Sequence, residues 1–355
     1  MEIAILNEET YNEYAVNHPN YNFFQSIYYG KVMKNSGYEP FYLGLVDESG
    51  SIEAATLILV KESKGKQRTG YCPRGFLIDW NNDNLVINFT NLLKKFLSKR
   101  SFIYIKVDPL IIYKEHSKAD FPNNMVAGND TFIKKLQALN YVHLGFNKGF
   151  ESQKPRWNIN IELNNTTLQS LNEDTKRKIN DSKKYGCQVF RGNKNDIDKF
   201  YNLVKTTSNL NKEFYLNFFD IAEDKKLFEI YFSRIDPGVF VKNSRTIYEE
   251  EENRNQELNN MIQDMSIVDK TDILNKKMES DLLLGTYKQN MLKAIDVFQN
   301  NPDGILGATT AVVKFNGELI FWTVAINDEF KTYFPEYNLY STIIEDCIRL
   351  GFKTA

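Results

Sequence analysis

The chain has 355 residues, a formal net charge of −2, and 42% hydrophobic and 14% aromatic residues. That length exceeds one small domain and the apolar share can build real cores, so general disorder is excluded and two packed lobes are the natural expectation. A near-neutral surface argues against tight non-specific nucleic-acid binding by the chain as a whole, and three scattered cysteines with three scattered histidines make neither a disulfide framework nor a metal site.

The start, "MEIAILNEETYNEY", has no basic segment leading into an apolar core, and no apolar run approaches the roughly 20 residues that span a bilayer, so a cytoplasmic protein is expected. "FFQSIYYGKVMKNSGYEP" reads as an amphipathic helix carrying Lys31 and Lys34. Residues 41–61, "FYLGLVDESGSIEAATLILVK", read as two strands around an Asp-Glu-Ser-Gly turn. A strand "GYCPRGFLI", a helix "NLVINFTNLLKKFLSKR" and a strand "SFIYIKVDP" stopped by Pro109 complete a mixed α/β lobe over residues 1–150.

Residues 151–355 predict a second lobe. It opens with a strand "RWNINIEL", a basic helix "NEDTKRKINDSKKYG", a strand "CQVFRG" and a helix starting near Asp196. "GILGATTAVVKFNGELIFWTVAIN" is a hairpin turning at Asn316-Gly317, and "EYNLYSTIIEDCIRLGFKTA" repeats the helix leading into a strand. The shared element order reads as a duplication. Between 246 and 300 the chain has no proline and a single glycine, which suits long helices. Leu258, Met261, Ile262 and Met265, then Leu274, Met278 and Leu282, then Met291, Ile295 and Phe298 predict a narrow apolar seam. With a polar break near Ser266 to Thr271, that is an inserted antiparallel helical hairpin.

Four stretches can carry chemistry. Lys31 lies on the aromatic helix, where a solvated head is the plain reading. Arg74, between Pro73 and Gly75, cannot lose its charge and must meet water, a bound anion or a carboxylate such as Asp79. Asp108 ends a strand before a proline, as either a turn-forming aspartate or a carboxylate facing a cleft at the strand ends. Lys176, Arg177, Lys178, Lys183 and Lys184 form either a solvated face or, near a helix N-terminus, a phosphate site. Walker, dinucleotide and zinc-protease motifs and a Ser/His/Asp order are absent from the sequence.

Together these stretches resemble the Fem family of peptidoglycan-bridge aminoacyltransferases. "FFQSIYYGKVMKNSGYEPFYLGLVDESGSIEAATLIL" is similar to that family's Q-S-x-x-W-G-x-V-K helix and first hairpin. "YCPRGFLIDW" is similar to its Y-x-P-R-G-P-V-x-D stretch, with Phe76 where proline is usual, and "FIYIKVDP" to its K/R-x-D-P strand end. "KPRWNINIELNNTTLQSLNEDTKRKINDSKKYGCQV" resembles the opening of its second lobe.

The resemblance implies an α/β (α+β) protein of two lobes with the N-acetyltransferase (GNAT) fold, and the helical hairpin looks like the coiled-coil arm of the FemA and MurM branch. It implies transfer of an amino acid from aminoacyl-tRNA, with no cofactor, to an amine of lipid II or UDP-MurNAc-pentapeptide. On that pattern Asp108 is the base or amine-orienting carboxylate, Lys31 binds a precursor phosphate, Arg74 lies at the same cleft, and Lys176 and Arg177 meet phosphates. Where the family often has an arginine, "TTSNLNKEF" offers Asn211, with Lys212 the nearest cation. Homo- or hetero-oligomers with related bridge enzymes and peripheral contact with the inner face of the membrane are further expectations. The sequence stops at "LGFKTA", before the family's Y-D-x-x-G-I stretch, so the last strand of the second lobe is expected to be missing. The rival readings are an acyl-CoA-dependent N-acyltransferase, against which the lack of a pyrophosphate loop counts, and a non-catalytic scaffold for bridge-forming enzymes.

Overall fold

Two sheets organise the chain, each in its own unit. The computed structural model describes residues 1–117, 128–145, 158–222, 225–264 and 269–355. One unit comprises Met1–Ile159 with Asp220–Ala222, the other Asn160–Phe219 with Glu223–Ala355.

The first unit holds β1 (Glu2–Ile5), β2 (Glu39–Val46), β3 (Ile52–Glu62), β4 (Arg68–Arg74) and β5 (Phe102–Pro109), lying side by side in that order. All neighbours are antiparallel except β4 and β5, which run parallel. The parallel pair needs a crossover, and α3 (Asp83–Ser98) supplies it. Asn82 caps that helix by accepting from the Leu85 N–H at 3.1 Å. Val86, Phe89, Leu93 and Leu97, spaced by three and four, bury one face of α3 against Leu43, Leu45, Ile58 and Val60 of the sheet. Each such side chain contributes about 1.5–3 kcal/mol by leaving water. The unit also carries α1 (Glu8–Val16), α2 (Ile27–Asn35) and α4 (Asp130–Ala138).

The second unit contains α5 (Glu173–Lys184), β6 (Cys187–Arg191), α6 (Ile197–Val204), α7 (Lys212–Ala222, of which residues to Phe219 belong here) and β7 (Phe228–Ile235). Then follow α8 (Pro237–Gln263), α9 (Thr271–Asn300), β8 (Ile305–Phe315), β9 (Glu318–Ile326) and α10 (Pro335–Arg349). Its sheet is β6-β7-β8-β9, antiparallel throughout. Asn316 and Gly317, at φ 48° and 79°, make the tight β8–β9 turn that their identities announce.

The predicted duplication needs an offset. The β8–β9 hairpin stands where β3–β4 stands in the first unit, not where β2–β3 does, because a further strand, β7, precedes it. Residues near 354 extend the likeness: Thr354 bridges Glu318 in parallel, as Phe102 does Arg68. Residues 353–355 are hydrogen-bonded on both sides, to Gly317 and Leu319 and to Ile161 and Leu163. The expected strand over 156–163 is reduced, among the described residues, to a bridge at Glu162, and residues 156 and 157 lie outside them.

The helical pair starts at Pro237 rather than near 246, and its seam coincides with the predicted one only in part. Leu274, Met278 and Leu282 point outward, 48%, 67% and 76% exposed, as do Met261 and Phe298. The shielded side of α9 runs one residue over, through Ile273, Lys277, Ser280, Leu284, Tyr287, Met291 and Ala294. On α8 it includes Ser244, Glu251, Asn255 and Leu258. Leu258, Ile262, Met291 and Ile295 of the predicted seam do lie on the shielded side, but about half of that side is polar, so an apolar pattern traces only part of it. Asn255 Nδ2 joins the helices by donating to Ser280 Oγ at 3.0 Å and Asp281 Oδ1 at 2.9 Å. Met265 lies outside the described residues. Urea unfolding checks the seam: Leu258→Ala costs about 2–5 kcal/mol, whereas Leu282→Gln changes stability by less than about 0.5 kcal/mol.

Candidate functional site

The ladder between β3 and β4 lapses after Leu59↔Tyr71 and resumes only as a bridge at Ala55↔Leu77, so residues 56–58 face residues 72–76. Backbone groups in that gap need partners, and Pro73 has no N–H to offer. Gln25, fully buried, supplies them. Its Nε2 donates to the Pro73 carbonyl at 2.7 Å and the Leu57 carbonyl at 3.3 Å, and its Oε1 accepts from the Leu57 N–H at 2.9 Å. The Tyr11 hydroxyl fixes the Gln25 backbone by donating to its carbonyl at 2.7 Å. Gly75 belongs to the same arrangement: a Cβ there would stand 2.9 Å from Gln25 Nε2.

Just beyond this lock Arg74 takes φ 51°, and the Gly75–Phe76 peptide that follows is cis. The Arg74 N–H donates to Asp108 Oδ1 at 2.7 Å, which the parallel register allows by setting Asp108 opposite Pro73. The Tyr71 hydroxyl donates to Asp108 Oδ2 at 2.9 Å, and the Arg74 guanidinium lies 3.9 Å from the same oxygen. Asn22 Nδ2 donates to the Arg74 carbonyl at 3.3 Å. The carboxylate partner of Arg74 is thus Asp108 rather than Asp79. Burial pushes the Tyr71 phenol far above its ordinary value, and the neighbouring Asp108 charge adds to this, so Tyr71 remains a donor at neutral pH.

The arrangement leaves a partly exposed carboxylate at the end of a parallel strand pair, held from three directions. Such a group can receive further N–H donors and attract a cation, and its fixed geometry suits orienting an amine.

The other predicted residues are placed differently. Lys31 pairs with Glu8 at 3.0 Å, both half exposed. Lys176, Arg177 and Lys212 belong to the second unit and each has an acidic partner. Lys176 meets Glu173 at 2.8 Å, Arg177 meets Asp174 at 2.7 Å and Asp181 at 3.1 Å, and Lys212 meets Asp198 at 2.8 Å. Lys178 also reaches Asp174, at 2.7 Å, and that bond holds the Asp174 carboxyl below its usual range. The basic face of α5 is therefore laced with its own acids. Exposed pairs of this kind, screened by water, contribute little to stability. All three cysteines are buried and free, and among the described residues no cluster of His, Cys, Asp or Glu is arranged to hold a metal.

Two residues of the site, Tyr71 and Gln25, stand inside the stretches quoted above but carry no role that the sequence alone assigns. Tyr71 looks like an ordinary strand aromatic. Gln25 leaves a faint signal, an amide inside the aromatic run "FFQSIYY" where an exposed helix position would not need one.

Alkaline unfolding tests the Tyr71 contact. The folded chain keeps a phenolic proton that the unfolded chain gives up near its ordinary value of 10, so this group's effect on stability is flat below that pH and stability falls as pH rises above it. Tyr71→Phe removes the term, and its urea midpoints fall less steeply than the parent's above pH 10. Parallel slopes would show that the phenol is not held as described.

Three comparisons bear on identity. The sequence model of the FemAB family matches residues 6–355. The aminoacyltransferase FemA of Staphylococcus aureus strain N315 is 25% identical over 276 residues, covering 75% of this chain and 64% of that protein. FemA of strain MRSA252 gives the same identity and coverage. The chain thus spans less than two thirds of the length of these curated relatives. A crystal structure of FemX superposes with a TM-score of 0.71 at 16% identity, covering 100% of this chain and 87% of that one, a likeness of fold. With a family match over residues 6–355, which takes in the Gln25–Arg74–Asp108 arrangement, the chain belongs to the FemAB family.

Proposed function

We propose that this chain is an aminoacyltransferase that moves an amino acid from aminoacyl-tRNA to an amine of a peptidoglycan precursor, lipid II or UDP-MurNAc-pentapeptide. The observation that carries the reading is Asp108, fixed at the end of β5 by the Arg74 N–H and the Tyr71 hydroxyl in a chain of the FemAB family. The names of the similar proteins, aminoacyltransferase FemA among them, support the reaction class.

In this reading the acceptor amine attacks the ester carbonyl of the charged tRNA. The new C–N bond forms, the C–O bond to the ribose breaks, and the amine proton leaves with the ribose oxygen. An ester is reactive enough that orientation and charge stabilisation supply the catalysis without a covalent enzyme intermediate or a cofactor. Asp108 orients the amine and draws off its positive charge. Arg74 fixes Asp108 and faces an anionic part of the precursor, and Lys31 exchanges Glu8 for a precursor phosphate. Lys176, Arg177 and Lys212 exchange their surface carboxylates for phosphates of the tRNA or precursor. The two sheet units act as GNAT-like lobes, with α8 and α9 as a coiled-coil arm for related bridge enzymes. We place the reaction in the cytoplasm or at the inner face of the membrane; no described helix is long and apolar enough to cross one.

The test is transfer of a labelled amino acid from charged tRNA to a lysine-containing precursor by the purified chain. Asp108→Asn keeps the shape but removes the charge, and lowers kcat/KM roughly 100- to 10,000-fold. Lys31→Gln raises KM for the precursor with little change in kcat. Undiminished transfer by Asp108→Asn, or transfer from acetyl-CoA and not from charged tRNA, would overturn the reading.

A further inference from the structure

The second unit holds a cavity of about 550 Å³ that has no part in the proposed transfer. Its floor is an ion network. Lys314, on β8, lies 2.6 Å from Glu229 Oε2 and donates to the Tyr231 hydroxyl at 2.9 Å, and that hydroxyl donates to Glu229 at 2.5 Å. Glu229 and Lys314 are 3% and 9% exposed. A buried pair of this kind is a poor stabiliser, since apolar residues of equal volume do as well or better. Its presence in a cavity wall calls for another explanation.

Charge supplies one. Arg191 reaches the second oxygen of Glu229 at 3.0 Å, so two cations share one carboxylate. Arg349 and Asp346 cancel at 2.5 Å, while Lys225 and Lys226 bring two further positive charges to the lining. Five cationic side chains thus face two carboxylates around one hollow. An adjoining hollow of about 290 Å³ shares Arg191 and Lys226 and adds Lys194. Phe190 and Phe352 give the main cavity an apolar wall. A surplus of charge in a restricted volume favours an anion of more than one charge, and arginine beside lysine suits phosphoryl oxygens. The volume falls within the roughly 300–1,000 Å³ of small-molecule sites.

We propose that this cavity binds a small phosphorylated molecule carrying two or more negative charges, with its phosphoryl oxygens on Arg191, Lys226 and Arg349 and its organic part against Phe190 and Phe352. The cavity is lined by residues of the second unit whereas Asp108 belongs to the first, and its occupation does not require aminoacyl transfer.

Calorimetric titration of the purified chain with inorganic pyrophosphate and with a nucleoside diphosphate tests this. Saturable one-to-one binding of either supports it; the nucleoside diphosphate binding more tightly identifies a nucleotide-like ligand, and equal binding identifies the free anion. Lys226→Asn removes a charge while tolerating the φ of 51° at that position, and Arg349→Gln removes another from the rim. Each weakens binding about tenfold, roughly 1.4 kcal/mol, with the melting temperature near the parent's. Lys288→Gln, on α9, leaves it unchanged. No saturable binding of either anion, equal affinity in all three variants, or binding of a single-stranded RNA without either small anion would overturn the proposal.

Discussion

A single buried amide holds the first unit's functional end in shape. Two neighbouring strands cannot part inside a core without stranding peptide groups, and each stranded group costs about 1–3 kcal/mol. Gln25 resolves this by acting as a substitute peptide unit, offering a donor to β4 and both a donor and an acceptor to β3. With the gap closed, β4 is free to turn at Arg74, and the N–H that would have continued the ladder points at Asp108 instead. The carboxylate's position therefore follows from a residue far away in sequence that touches no charge.

The two sheets share a plan and spend it differently. In the first, the parallel neighbour of the last antiparallel strand carries a carboxylate at its end, partly open to water and met by a guanidinium. In the second, the charged residues sit near the opposite end of the corresponding strands, at the start of β7 and the end of β8, and are largely buried. The open carboxylate suits contact with a passing amine. The buried pair sets a permanent field beside a hollow. Surface pairs such as those on α5 contribute little to either.

Much of the fold was legible because its signals are local. The Asn316-Gly317 turn, the period of α3 and the Pro109 stop each depend on a few adjacent residues, and all appear as expected. β7 was hidden because it is buried along nearly its whole length, so "FEIYFSRI" lacks the alternation that marks a half-exposed strand. The helical seam is legible only in part because Asn255 and Ser280 are buried through a mutual hydrogen bond, a pairing that hydropathy along one chain does not register. Arg74 and Asp108 could be singled out as charges in apolar surroundings. That they face one another could not, since it depends on a parallel register set by a crossover helix and on Gln25.

The helical pair illustrates what a polar seam does to a protein's mechanics. Asn255 finds Ser280 and Asp281 only in one alignment, so sliding either helix by a turn leaves a buried amide without partners. Few apolar side chains resist separation, however, once that clasp opens. The result is a rod that is exact in alignment yet weakly glued. Its amide hydrogens are therefore expected to exchange with solvent before those of β7 and β8.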